Sequence, residues 1–302
     1  MFNVKWSALA SLFLLSPAAY AAAHCPGNVA SVHARHVAQY LHVVEVSINH
    51  TGPYPFLLDT GAQITSIDPA LARELQLKAR VTAAVFGVAS QETAAIAQVD
   101  DMQVGEQGIP HSEVAIQALS RLHGVDSTIR GVLGGDFLSH FDVLIDQGNN
   151  LLCLGKAGEM RGHLHGEQLA LAMPHAEHGA ASTEPLIIPV HLSGISDRPL
   201  LLLLDSGANA PFLWRVAAAF QMRSPASQAN ISTRQNAAPA FTVMPPQEMR
   251  IGGLLIHQIS FATPTASGRE APANGIDGLL PTAQFRRVYI DYIHRFVVLE
   301  SW

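Results

Sequence analysis

The feature that most constrains this chain is that it reads as two copies of one pattern. The segment PYPFLLDTGAQIT in the first half has a counterpart, RPLLLLLDSGANAP, in the second, and Asp59 and Asp205 stand 146 positions apart. Neighbouring blocks repeat at nearly the same offset. LHVVEVSI answers to LIIPVHLS upstream; downstream, ELQL answers to AFQM, DMQVG to EMRIG, GVLGGDFL to GLLPTAQF, and FDVLIDQGNNLLCL to RRVYIDYIHRFVVL. Self-similarity over so many blocks reads as an internal duplication, so the chain has to build one unit twice. Short apolar runs punctuated by Gly and Pro, with only 14% charged residues, favour strands over helices in that unit.

Helical signals are few and local. IDPALARELQL offers Asp68 as N-cap and Pro69 at the first helical position, and LWRVAAAFQM is a second candidate. At the amino end, a lone Lys5, the apolar stretch WSALASLFLLSPAAY and the small-x-small triplet Ala19-Tyr20-Ala21 read as an export signal. The apolar part is short for a bilayer span. The expected organisation is a signal peptide over residues 1–21, a first lobe over 22–154, a linker over 155–185 and a second lobe over 186–302. The mature protein is then periplasmic or secreted. Its two cysteines, Cys25 and Cys153, can form one disulfide in an oxidising compartment and are given no catalytic role. The net charge of −6 gives no electrostatic pull toward nucleic acid. The linker holds His163, His165, His175 and His178, without Cys or acidic partners at fixed spacing, so a solvated connection is read there and no metal site.

The chemistry lies where each copy ends an apolar strand on an acid, in Asp59-Thr60-Gly61-Ala62 and Asp205-Ser206-Gly207-Ala208. Burying a carboxylate is costly unless it is neutralised or hydrogen-bonded. If the copies pack about a pseudo-twofold axis, the two strand ends bring Asp59 and Asp205 face to face, and a pair that close shares one proton. The ionised member can take a proton from water while the protonated member donates to a carbonyl oxygen. Gly61 and Gly207 let the backbone turn sharply beside the carboxylates, and the Thr60 and Ser206 hydroxyls can bond across the axis. The leucine run Leu200–Leu204 reads as a dry floor beneath them.

With these motifs the sequence resembles the aspartic peptidases, and more narrowly the bacterial retropepsin-like type, over nearly all of the mature chain except residues 155–185. The resemblance implies an all-β fold of two homologous pepsin/retropepsin-like β-barrel lobes about a pseudo-twofold axis, with few short helices. It implies an aspartic endopeptidase whose catalytic residues are Asp59, Thr60, Gly61, Asp205, Ser206 and Gly207. No cofactor is called for, and the partner is a polypeptide substrate bound in extended form. The resemblance also implies a monomer that is itself a pseudo-dimer, with no nucleic-acid partner and no membrane span after signal cleavage. In the family a hydrophobic pair and a glycine line a loop beside the catalytic one. Val132-Leu133-Gly134 fits, whereas Leu279-Leu280-Pro281 puts a proline where glycine is expected, with a fixed φ and no N–H. That departure is the main support for a second reading, a weak or inactive periplasmic binding or scaffold protein. A homodimer using one aspartate per chain and a His-based metallohydrolase complete the alternatives. Ala62 and Ala208 stand where pepsin-like members usually carry a hydroxyl, which points to a mildly acidic optimum. A glycine-containing flap is expected around Gly87, with no glycine at the matching position, Arg234.

Overall fold

In the computed structural model, residues 23–27, 29–86, 91–172, 184–214, 241–264 and 275–302 are described. Residues 1–21, expected to be an export signal, and Gly87, Arg234, His175 and His178 lie outside them. The described chain is dominated by strands, with three short α-helices: Pro69–Glu74, Ser120–His123 and Gly135–Leu138. The first begins as its sequence dictates. The Asp68 carboxylate accepts the backbone N–H groups of Ala70 and Leu71 at 2.6 and 2.7 Å, and Pro69 follows it. The second candidate helix does not start as expected. Leu213 belongs to the strand Phe212–Leu213, because Leu213 fills the core and pairs with Gly278, and residues 215–222 lie outside the described part.

One eight-stranded sheet runs from edge to edge as Arg35–Val37, Leu41–Ile48, Thr51–Leu58, Gly131–Leu133, Ser66–Ile67, Gln107–Ile116, Gln91–Val104 and Ala79–Phe86. A further pairing of Leu41–Ile48 with Gln91–Val104 curls it back on itself. The second eight-stranded sheet runs Phe241–Val243, Ala262–Pro264, Phe212–Leu213, Gly278–Pro281, Leu200–Asp205, Ile187–Leu192, Gln247–Ile251 and Leu254–Ile259. The order of its central strands repeats that of the first, and so do the turns. Gly105 and Gly252, at matching places in DMQVG and EMRIG, both take φ of +57°, the left-handed conformation that tight hairpins demand and glycine adopts without strain.

A six-stranded sheet joins the halves. It runs Ser31–His33, Leu151–Gly155, Asp142–Asp146, Arg287–Asp291, Phe296–Glu300 and Glu167–Ala170, and the halves meet where Val143–Asp146 pairs antiparallel with Arg287–Ile290. Its last strand comes from the segment read as a linker. Glu167–Ala170 pairs with Phe296–Val297–Val298–Leu299 and buries Leu169 while its neighbours face outward, an alternation too short to stand out in the sequence. His163 and His165 lie on the approach to that strand.

The main core is continuous through both halves. Phe56, Leu58 and Leu133 from the first and Leu202, Leu204 and Leu280 from the second are all fully buried in it. Removing side chains of this size from water contributes roughly 1.5–3 kcal/mol each. Cys25 and Cys153 form a disulfide across 128 positions, fastening the amino-terminal segment to the strand Leu151–Gly155.

Candidate active site

Each candidate aspartate sits at the end of a strand clamped on both sides. Thr51–Leu58 pairs antiparallel with Leu41–Ile48 and parallel with Gly131–Leu133, and the Asp59 amide donates to the Leu133 carbonyl at 3.0 Å. Leu200–Asp205 pairs antiparallel with Ile187–Leu192 and parallel with Gly278–Pro281. The registers match position for position. Phe56, Leu57 and Leu58 lie opposite Gly131, Val132 and Leu133, as Leu202, Leu203 and Leu204 lie opposite Gly278, Leu279 and Leu280. The leucine run therefore does form a buried floor, with Leu202 and Leu204 in the common core and Leu203 packed on the opposite face with Ile187 and Ile276.

Four hydrogen bonds lock the two strand ends together. The Thr60 hydroxyl donates to the Leu204 carbonyl at 2.9 Å and accepts the Ser206 amide at 3.0 Å. Reciprocally, the Ser206 hydroxyl donates to the Leu58 carbonyl at 2.8 Å and accepts the Thr60 amide at 3.0 Å. Both hydroxyls are buried, so loss of either leaves backbone groups of the other half unpaired, at about 1–3 kcal/mol for each such group.

The glycines do more than turn the chain. A Cβ placed on Gly61 would lie 2.7 Å from the carboxyl carbon of Asp205, and one on Gly207 would lie 2.5 Å from that of Asp59. Each glycine thus lies against the opposite half's carboxylate, which is possible only because the two aspartates face each other. The amides of Gly61 and Ala62 donate to Asp59 Oδ1 at 2.9 and 3.1 Å, and the Gly207 amide donates to Asp205 Oδ1 at 2.7 Å.

Burial pushes both carboxyls above the ordinary carboxylate range. Asp205 is raised the more strongly, because the neighbouring Asp59 charge adds to its burial. Exposure agrees with this asymmetry: Asp205 is only 4% exposed, whereas Asp59 is half-buried. Two carboxyls this close, both raised by burial, share one proton between them.

Beside Asp59 lies a polar brace. Thr65 donates to Asp136 Oδ1 through its amide at 2.8 Å and its hydroxyl at 2.7 Å, and the same hydroxyl accepts the Gly134 amide at 3.0 Å. Pairing registers place Pro211 where the first half has Thr65, since Ser66 and Phe212, the next residues, pair with Val132 and Leu279. Block alignment likewise sets Pro281 against Gly134 and Ala283 against Asp136. Where Pro281 lacks an N–H, the hydroxyl that would receive it is missing too. Pro281 has φ −61° and ψ 138°, ordinary for proline, and keeps its place opposite Asp205. The second loop is therefore built differently and is not distorted.

All six expected site residues, Asp59, Thr60, Gly61, Asp205, Ser206 and Gly207, fall within this one cluster of contacts. Sequence reasoning missed Thr65 and Asp136. The available signal was that three departures between the halves, Thr65/Pro211, Gly134/Pro281 and Asp136/Ala283, occur together. The strands flanking the expected flap pair as far as Phe86 and Gln91, and the Gly87 tip itself is outside the described residues.

The family model described as aspartyl protease matches residues 44–137, the stretch that holds the Asp59 motif and the Gly131–Phe137 block. Among curated proteins no sequence matches. Among solved structures, the chain is similar to the aspartic proteinase from Irpex lacteus, with a TM-score of 0.55 and 13% identity over 90% of this chain and 97% of that one.

Proposed function

We propose that this chain, which has the fold of the pepsin/retropepsin-like aspartic peptidases and an aspartyl-protease family match across its first half, is an exported endopeptidase. The observation that carries the reading is the reciprocal packing of each glycine on the other half's carboxylate, which makes Asp59 and Asp205 one unit. A water between them loses a proton to Asp59 as its oxygen bonds to a peptide carbonyl carbon, while Asp205 gives its proton to the carbonyl oxygen. The resulting tetrahedral diol collapses as Asp59 passes its proton to the amide nitrogen, a diol hydroxyl returns a proton to Asp205 and the C–N bond breaks. The roles follow from environment: the more exposed Asp59 is the base, and the more buried Asp205 is the acid. The substrate is a polypeptide lying extended between the lobes, held by backbone hydrogen bonds with side chains in alternating pockets. Both aspartates come from one chain, so the working unit is a monomer of two lobes, 22–154 and 186–302. Export rests on the signal-like residues 1–21 and on the buried Cys25–Cys153 disulfide, which suits an oxidising compartment.

Purified mature chain incubated with a peptide library at mildly acid pH is expected to cleave internal peptide bonds. A transition-state analogue carrying a hydroxyl in place of the scissile carbonyl should block the cleavage, and a metal chelator should leave it unchanged. Cleavage abolished by the chelator and indifferent to the analogue contradicts the reading.

The inactive-scaffold alternative loses its main support in the geometry of Pro281. Pro281→Gly is expected to leave kcat/KM within about twofold and to lower stability by about 0.4–1 kcal/mol in urea unfolding, through a freer unfolded chain. A large gain in kcat would instead mean that the proline impairs Asp205.

A further inference from the structure

We infer that Asp136 is a positioning residue for Asp59 alone, fixing the loop whose amides bond the Asp59 carboxylate. The inference deepens the proteolytic reading and rests on it. Asp136 Oδ1 accepts three donors, the amide and hydroxyl of Thr65 and the amide of Phe137 at 3.0 Å. Because the Thr65 hydroxyl gives its proton to Asp136, its oxygen is turned to receive the Gly134 amide. The next two amides, of Gly135 and Asp136, donate to the carbonyls of Ala62 and Gln63 at 2.8 and 3.1 Å. Residues 134–136 therefore grip residues 62–65 along their length, so closely that a Cβ on Gly134 would lie 2.8 Å from the Ile64 carbonyl carbon. The gripped loop continues directly from Gly61 and Ala62, whose amides bond Asp59 Oδ1.

Among the described residues, the matching positions of the second half hold no such brace. Pro211, Pro281 and Ala283 at the matching positions carry no side-chain donor or acceptor. The polar, titratable brace thus stands beside Asp59 and has no counterpart at the matching positions beside Asp205. Among the described residues, the ionisable group facing Asp136 from the other half is Tyr292, whose buried hydroxyl has no hydrogen-bond partner there and whose pKa is raised by burial and by the Asp136 charge. Burial raises Asp136 as well. Facing Asp59, the ionisable group is Asp205.

A slack first loop weakens the two amide bonds that favour ionised Asp59, so Asp59 takes up a proton at higher pH. The limb of the activity profile that Asp59 governs is the acid one. The alkaline limb follows the proton on Asp205, whose loop does not involve Asp136. Loss of the brace should therefore move one limb only.

The test is the pH profile of kcat/KM for wild type, Asp136→Ala, Asp136→Asn and Pro281→Gly, each checked for an intact thermal transition. Asp136→Ala is expected to lose roughly tenfold or more in kcat and to carry the acid limb upward by about one pH unit, the scale of one net hydrogen bond, with the alkaline limb unmoved. Asp136→Asn retains an Oδ1 acceptor and should restore the acid limb, and Pro281→Gly should leave both limbs in place. If Asp136→Ala does not fold, Thr65→Val removes the hydroxyl link at nearly constant shape and is expected to move the same limb. Both limbs unchanged in the folded variants, or both moving together, overturns the inference while leaving the proteolytic reading intact. A wild-type chain that hydrolyses no peptide overturns the proteolytic reading, and the inference with it.

Discussion

Gly207→Ala is expected to cut peptide hydrolysis by on the order of 10²-fold or more while leaving the protein folded. The added methyl group falls 2.5 Å from the Asp59 carboxyl carbon and 2.6 Å from its Oδ2, closer than real Cβ atoms come to other groups. Asp59 cannot yield toward its own loop, where the Gly61 and Ala62 amides already bond its Oδ1. Relief must come from spreading the halves or swinging the carboxylate, and overpacking of this kind costs about 1–3 kcal/mol in stability. The effect on rate is larger, since misplacing a reacting group by ~1 Å costs on the order of 10²-fold. Gly61→Ala acts in mirror image on Asp205, at 2.7 Å. The comparison that isolates the cause is Gly162→Ala, where no atom lies within 4 Å of the added carbon. That variant should match wild type in kcat/KM and in Tm, whereas full activity in Gly207→Ala would mean that the two carboxylates do not meet at the glycines.

The second large effect is a trade between activity and stability at Asp205. Its carboxyl lies well above the ordinary carboxylate range because it is buried beside Asp59. The folded protein therefore retains a proton that the unfolded chain has released. Its contribution to stability is fully present below the unfolded-state pKa and is lost as pH rises through the raised folded-state value. Asp205→Asn cannot ionise, and its Oδ1 can still accept the Gly207 amide. Its Tm should equal that of wild type in strong acid and exceed it increasingly toward neutral pH, while kcat falls by roughly 10²–10⁴ through loss of the acid. The same raised values govern the activity of wild type. The working state carries one proton on the pair, and both carboxyls are pushed upward, so the rate should peak in mild acid and decline on either side. A wild-type profile still rising at strongly acid pH, or an Asn variant less stable than wild type at neutral pH, contradicts this assignment.

What the sequence revealed, and what it did not, divides along the repeat. The motifs that occur in both halves were legible because each vouches for the other. Asp59 and Asp205, Thr60 and Ser206, and the two glycines could be placed by symmetry, and the structure brings all six together. Features present in one half only were not legible. Thr65 and Asp136 look like ordinary polar residues until the Gly134 amide is seen on the Thr65 hydroxyl, and Pro281 looked like damage until Pro211 was seen at the position of its missing partner. The strand Glu167–Ala170 eluded the reading because a four-residue alternation becomes a strand only through the edge that Phe296–Glu300 offers it. Local pattern favours a helix at Leu213, and its burial in the core beside Gly278 overrides that preference. Tertiary pairing decided each of these cases, and no local pattern records it.

The central claim is that Asp59 and Asp205 act as a single catalytic unit. The most direct measurement is the rate of cleavage of one good peptide substrate by wild type, Asp59→Asn, Asp205→Asn and the double variant at the wild-type optimum. Groups that share one proton and one water are strongly non-additive, so each single variant should fall by roughly 10²–10⁴ or more and the double variant should fall little further. Substantial cleavage surviving in either single variant, or two losses that simply multiply in the double, would contradict the account.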